Sequence, residues 1–126
     1  MTLKRLYPPQ VEAGTVLWES SGSYMGASVD ANLSHMVSEC PSGILMVWNP
    51  YDSSGAKGWG NNLFFVPRWF NFGSGVCIPL SRQEEDSSPT ASCVKYVYVM
   101  DELIRGYASN DKGNAKSWVL TKVISV

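Results

Sequence analysis

The stretch Cys93-Val94-Lys95-Tyr96-Val97-Tyr98-Val99-Met100 decides the fold. β-Branched and aromatic residues dominate it, and neither Gly nor Pro interrupts it, so it reads as a β-strand. A period of two puts Val94, Tyr96, Tyr98 and Met100 on one face and Cys93, Lys95, Val97 and Val99 on the other. After it come a short step, Asp101-Glu102-Leu103-Ile104, and a loop over residues 105–116 rich in Gly, Asn, Asp and Ser. Residues 118–126 then read as a closing strand, with Trp118, Leu120, Ile124 and Val126 on one face and Val119 and Val123 on the other.

Working towards the N-terminus, residues 81–91 are charged and contain a proline, the composition of a solvated loop. Val76-Cys77-Ile78-Pro79-Leu80 is a short strand before it. Leu63-Phe64-Phe65-Val66 reads as the hairpin partner of Ile44-Leu45-Met46-Val47-Trp48, with Pro67 marking a strand end or an edge. The apolar run 44–48, stopped by Asn49-Pro50, suits a central strand covered on both faces. Residues 51–62 between the two are a polar loop. Ala27, Val29, Ala31 and Leu33 alternate with polar residues as in a half-buried strand, and residues 34–39 fit one helical turn before Pro41. Residues 15–20 form a first strand, while Pro8-Pro9 keeps residues 1–14 an extended N-terminal arm. The prediction is all-β: an antiparallel β-sandwich or jelly-roll-like barrel of about seven or eight strands, one domain over residues 15–126.

Ten Lys and Arg against eleven Asp and Glu leave a net charge of −1 over 126 residues. This balance offers no basic footprint for nucleic acid and no polybasic attraction to a membrane surface. No stretch reaches the roughly 18 apolar residues of a membrane helix. Two basic residues near the start lack a following apolar core, so no signal peptide is expected and folding in a cytoplasm is. Cys40, Cys77 and Cys93 match no zinc or redox spacing. Their odd number leaves at least one thiol free, with a Cys77–Cys93 bridge across neighbouring strands left open.

Few residues could do chemistry. His35 is the only histidine, and Glu39 four residues on gives at most two ligands for a metal. A hydrogen-bonded structural histidine is therefore expected, with no metal site. Glu84-Glu85-Asp86 and Asp101-Glu102 read as solvated faces rather than a carboxylate dyad. Gly58-Trp59-Gly60 and Gly73-Ser74-Gly75 lack the lysine and helix context of a phosphate loop. Neither enzymatic activity nor a cofactor is expected.

Aromatic content is the more informative feature. Five Trp and six Tyr include Tyr51, Trp59, Trp69 and Tyr107 in or beside loops. Rings among Asn, Asp and Gly suit a sugar site, where a ring stacks on the apolar face of a pyranose and polar groups bond its hydroxyls. Trp69, in Val66-Pro67-Arg68-Trp69-Phe70, reads instead as core or subunit packing. The candidate ligand residues are Tyr51 and glycine-flanked Trp59 in one loop, with Tyr107, Asn110 and Asp111 in the other. Apolar groups on both faces of strands 93–100 and 118–126 call for a covering subunit, so a homo-oligomer is expected.

The order of the blocks Leu17-Trp18, Ser42-Gly43-Ile44-Leu45-Met46-Val47-Trp48, Phe64-Phe65-Val66-Pro67, Val94-Lys95-Tyr96-Val97-Tyr98-Val99 and Ile104-Arg105-Gly106 is characteristic, and so is the ending Trp118-Val119-Leu120-Thr121-Lys122-Val123-Ile124-Ser125-Val126. It resembles a small β-rich module at the C-termini of tail, baseplate or fibre proteins of phages and prophages of Gram-positive bacteria. The resemblance covers residues 15–126. It implies a virion protein made in the cytoplasm of a bacterial host, with other virion structural proteins as partners and three-fold symmetry favoured for the oligomer. It further implies a host-adhesion or structural module; together with the aromatic, polar loops this gives the expectation of a module binding host cell-wall carbohydrate or, alternatively, of a purely structural head, tail or fibre component.

Overall fold

Alternating side chains build nine strands in the computed structural model, which describes residues 8–83 and 91–126. In chain order they are β1 (Val16–Ser23), β2 (Asp30–Asn32), β3 (Gly43–Asp52), β4 (Gly55–Ala56), β5 (Asn62–Pro67), β6 (Ser74–Arg82), β7 (Ala91–Val99), β8 (Leu103–Arg105) and β9 (Trp118–Ser125). All pairings are antiparallel. The first sheet runs β1-β9-β3, with β5 on the far side of β3 and β4 folded onto the end of β3. The second runs β2-β8-β7-β6. Leu17, Ile44, Met46, Trp48, Leu120 and Val123 of the first sheet share one core with Ala31, Ile78, Leu80, Val97, Val99 and Ile104 of the second. The fold is therefore the predicted all-β, sandwich-like one. The described residues contain 3-10 turns but no α-helix, and no helix long and apolar enough to cross a membrane.

The strands depart from the sequence pattern where local geometry intervenes. The additional strand, β4, lies inside the loop predicted over residues 51–62. The Asp52 carboxylate accepts bonds from Ser54 N–H and Oγ and from Lys57, and these bonds hold it down at about 2. Asn49-Pro50 does not end β3, because the chain continues straight into this hairpin and the Pro50 carbonyl is taken by Lys57 N–H. The strand expected over residues 27–33 shrinks to three residues. Met25 and Ser28 adopt left-handed φ of 59° and 62°, and Val29 N–H closes a turn on Gly26 O.

β9 does not keep the predicted faces. Lys122 opposes Val47 while Leu120 opposes Trp48, so Thr121 is an extra residue, a β-bulge that advances the alternation by one. Trp118 and Leu120 then share the core side with Val123 and Ser125, and Ile124 turns outward. Cys77 pairs with Tyr96 and points out, whereas Cys93 pairs with core residue Leu80, so the two thiols lie on opposite faces and all three cysteines are free. His35 is also exposed, its Nδ1 standing 3.9 Å from Glu39 Oε2, and among the described residues it does not make the predicted structural hydrogen bond. The adjacent 3-10 turn (Val37–Glu39) is held by the Asp101 carboxylate, which accepts from Ser38 N–H and Oγ at 2.8 and 2.7 Å. The Glu84-Glu85-Asp86 run lies outside the described residues. The arm is docked from residue 10: Gln10 and Val11 N–H both bond Glu39 O, and Val11 joins the core.

The inward face of β7 carries Lys95, which is fully buried. Its Nζ donates to Asn110 O at 2.7 Å and Tyr24 O at 3.1 Å, and stands 5.4 Å and 5.6 Å from the ring centroids of Tyr24 and Trp48. The carbonyls and ring faces replace part of the lost hydration. Burial still lowers the ammonium to about 8. Between pH ~8 and its ordinary value of ~10.4, the unfolded chain holds a proton that the folded state has released, so stability rises with pH across that window. Denaturant titrations of the wild type and Lys95→Met should show the stability difference between them shifting towards the wild type by about 2–3 kcal/mol from pH ~7.5 to ~10.

Candidate functional site

The outward face of the second sheet gathers tyrosines. Tyr98 pairs with Gly75 on one side and Arg105 on the other, and Arg105 pairs with Asp30, giving the row Gly75–Tyr98–Arg105–Asp30 across four strands. Gly75 has a steric reason: a Cβ there would collide with the hydroxyl of Tyr96, which leans over it. The Tyr96 and Tyr98 rings meet edge to face at 5.4 Å. Tyr107, beyond the end of β8, packs on both, at 5.1 Å from Tyr96 and 6.3 Å from Tyr98. Edge-to-face rings attract one another and hold one another in place.

The loop that brings Tyr107 there is pinned from beneath. β8 covers β7 only at Tyr98 and Val99, which leaves the Tyr96 backbone without a strand partner on that side. The Asn110 side chain fills the gap. Its Oδ1 accepts Tyr96 N–H at 2.9 Å, and its Nδ2 donates to Tyr96 O and Met25 O, both at 2.7 Å. Its carbonyl holds Lys95, and Tyr107 N–H donates to Met25 O at 2.9 Å. Gly106 is required at this crossing, because a Cβ would strike the Met25 and Gly26 carbonyls.

Two shallow hollows share Tyr98 and Tyr107 as a common wall. One, of about 350 Å³, has Cys77, Val94, Tyr96 and Ser109 around it. The other, of about 580 Å³, is lined by Ser28, Asp30, Arg105 and Gly106. The Arg105 guanidinium forks onto Asp30, Nε to Oδ1 at 2.8 Å and Nη2 to Oδ2 at 3.1 Å. These bonds lower the Asp30 carboxyl and raise Arg105, so both stay charged. Flat rings beside a neutral pair of donors and acceptors can stack and hydrogen-bond a hydroxylated ligand.

The predicted ligand residues are divided among three places. Tyr107 lies on the tyrosine surface and is 43% exposed. Asn110 is fully buried and its amide is engaged, so it positions the surface rather than contacting a ligand. Asp111 is half-buried beside Lys112, at 3.3 Å. Tyr51 packs on Tyr24 at 5.5 Å, and burial pushes the Tyr24 hydroxyl up, with Tyr51 adding to the effect. Trp59 is half-exposed with the Arg82 guanidinium 5.9 Å over its ring, and Trp69 is well exposed. Pattern reading missed Tyr96, Tyr98, Arg105 and Asp30. The signal available was the Tyr96/Tyr98 alternation, which read as packing. Among the described residues no three His, Cys, Asp or Glu side chains converge as a metal site would need.

Set against known proteins, the sequence matches no protein-family model and no curated protein. Replacing Asn110 tests the architecture of the surface directly. Asn110→Ala leaves the Tyr96 N–H and C=O unpaired, while Met25 O keeps Tyr107 N–H, so thermal or urea unfolding should show a loss of roughly 2–3 kcal/mol.

Proposed function

We propose that this chain is a phage virion module of tail-fibre or baseplate type that binds host cell-surface carbohydrate, without catalysis, on the surface formed by Tyr96, Tyr98 and Tyr107. The observation that carries the reading is the tyrosine cluster set beside a solvent-facing Arg105–Asp30 pair. Ring faces of this kind offer a sugar ring a stacking wall, and the ion pair beside them offers its hydroxyls donors and acceptors. The viral context rests on the sequence blocks alone. Tyr107→Ala should weaken adsorption to host cells or isolated wall polysaccharide about ten-fold, with the chain still folded and a stability loss of about 1–2 kcal/mol from its two ring contacts. Trp59→Ala is the comparison: if it abolishes adsorption while Tyr107→Ala does not, the binding site lies in the loop between β3 and β5 instead.

A second reading, a structural virion component without ligand, is favoured by the opposite face. Val16, Ile124, Leu45 and Phe65 form one continuous cross-strand row on the outside of the first sheet, and Val47 and Leu63 extend it. Leu63 is 61% exposed and Phe65 48%. Such a row is the proposed contact of a homo-oligomer, a trimer being favoured, or with other virion proteins. Light scattering at micromolar concentration should give an oligomeric mass for the wild type and a monomeric mass for Phe65→Asp; a monomeric wild type removes the homo-oligomer.

A further inference from the structure

We infer that the hollow between Tyr98, Tyr107 and the Asp30–Arg105 pair selects a neutral, hydroxyl-bearing sugar ring and rejects phosphate- or carboxylate-bearing wall polymers. The inference rests on the carbohydrate reading above and adds the ligand's charge class to it.

A guanidinium on a binding surface ordinarily invites anions, since its fork matches a phosphate or carboxylate. Here the fork is already closed on Asp30 through Nε and Nη2. Two of the five Arg105 N–H donors are used, which leaves three, and the Asp30 oxygens keep free lone pairs. The pair therefore presents donors and acceptors side by side with no net charge. Hydroxyl groups, each donor and acceptor at once, match that arrangement. Adjacent hydroxyls on a sugar ring can bridge the donor and acceptor ends together.

An anionic ligand meets the opposite situation. It must displace Asp30 from Arg105 or sit against the Asp30 charge, and Glu102 adds a second negative charge near Arg105. Among the described residues the remainder of the hollow supplies no cation: Ala27, Ser28, Gly106 and Ala108 are uncharged, and the Tyr98 and Tyr107 rings offer stacking surface. The pair is held in register by strand pairing, because Asp30 and Arg105 oppose each other across β2 and β8. It is also partly exposed, at 28% for the Asp30 side chain and 45% for Arg105, so a ligand can reach both.

The test uses the full chain on an array carrying neutral hexose and N-acetylhexosamine oligosaccharides beside poly(glycerol phosphate), read at about 50 and 500 mM salt. The expected result is binding to neutral oligosaccharides that changes less than about two-fold with salt, and no binding to poly(glycerol phosphate). Arg105→Lys, which keeps the charge and loses the fork, should lower neutral binding roughly ten-fold. Asp30→Asn frees the Arg105 charge and should gain salt-sensitive binding to poly(glycerol phosphate). Salt-sensitive binding of poly(glycerol phosphate) by the wild type overturns the charge selection while leaving wall binding in place. Neutral binding unaltered in Arg105→Lys also overturns it. No binding to either class overturns the inference together with the carbohydrate reading.

Discussion

The Tyr96 backbone sits where β8 has already ended, at an open edge of the second sheet. An unpaired N–H and C=O there would cost several hydrogen bonds' worth of stability unless something takes the place of a strand. The Asn110 amide does so, supplying one acceptor and one donor in the arrangement that a neighbouring peptide group would offer. From that single substitution of side chain for strand follow the course of the loop, the seat of Tyr107 and the carbonyl that receives Lys95. Lys95 carries the linkage across the core, because its ammonium rests near the Trp48 ring of the opposite sheet. A charge in this position is costly to bury, and its cost is limited by two carbonyls and two ring faces.

With the inner faces joined, the two outer faces are free to differ. The second sheet turns tyrosines and an ion pair outward, with exposed Val94 beside them. The first sheet turns an unbroken apolar row outward, a surface suited to protein contact. The bulge at Thr121 is responsible for part of that row, since it rotates Ile124 from the core side to the outside. The edges of the two sheets are also tied together by a side chain. Asn62 of β5 donates to Ser81 O at 3.0 Å and accepts Ser81 N–H at 3.1 Å, linking the ends of β5 and β6. The two outer faces thus differ in chemistry, one aromatic and polar, the other apolar.

Local composition and alternation determined the strand-rich class, the antiparallel pairing of residues 63–66 with 44–48 and the grouping of Val97 and Val99 on one face of β7, because period-two alternation leaves its mark on neighbouring residues, while which face turns inward was left to the tertiary structure. Tertiary structure alone decided the features that depend on a distant partner. The bulge in β9 is set by its register with β3, so the pattern of residues 118–126 by itself assigned Ile124 to the wrong face. Asn110, with Tyr107 and Asp111, looked like a polar loop residue offering hydrogen bonds to a ligand; only the missing strand beside Tyr96 turns those bonds inward. Lys95 sat on an apolar face with nothing local to accept its charge, since its acceptors come from residues 24 and 110. The tyrosine surface was hidden for the same reason. Tyr96 and Tyr98 are neighbours in the chain, but Gly75, Arg105, Asp30 and Tyr107 reach them only through strand register and a loop crossing, and neither leaves a trace in residue spacing.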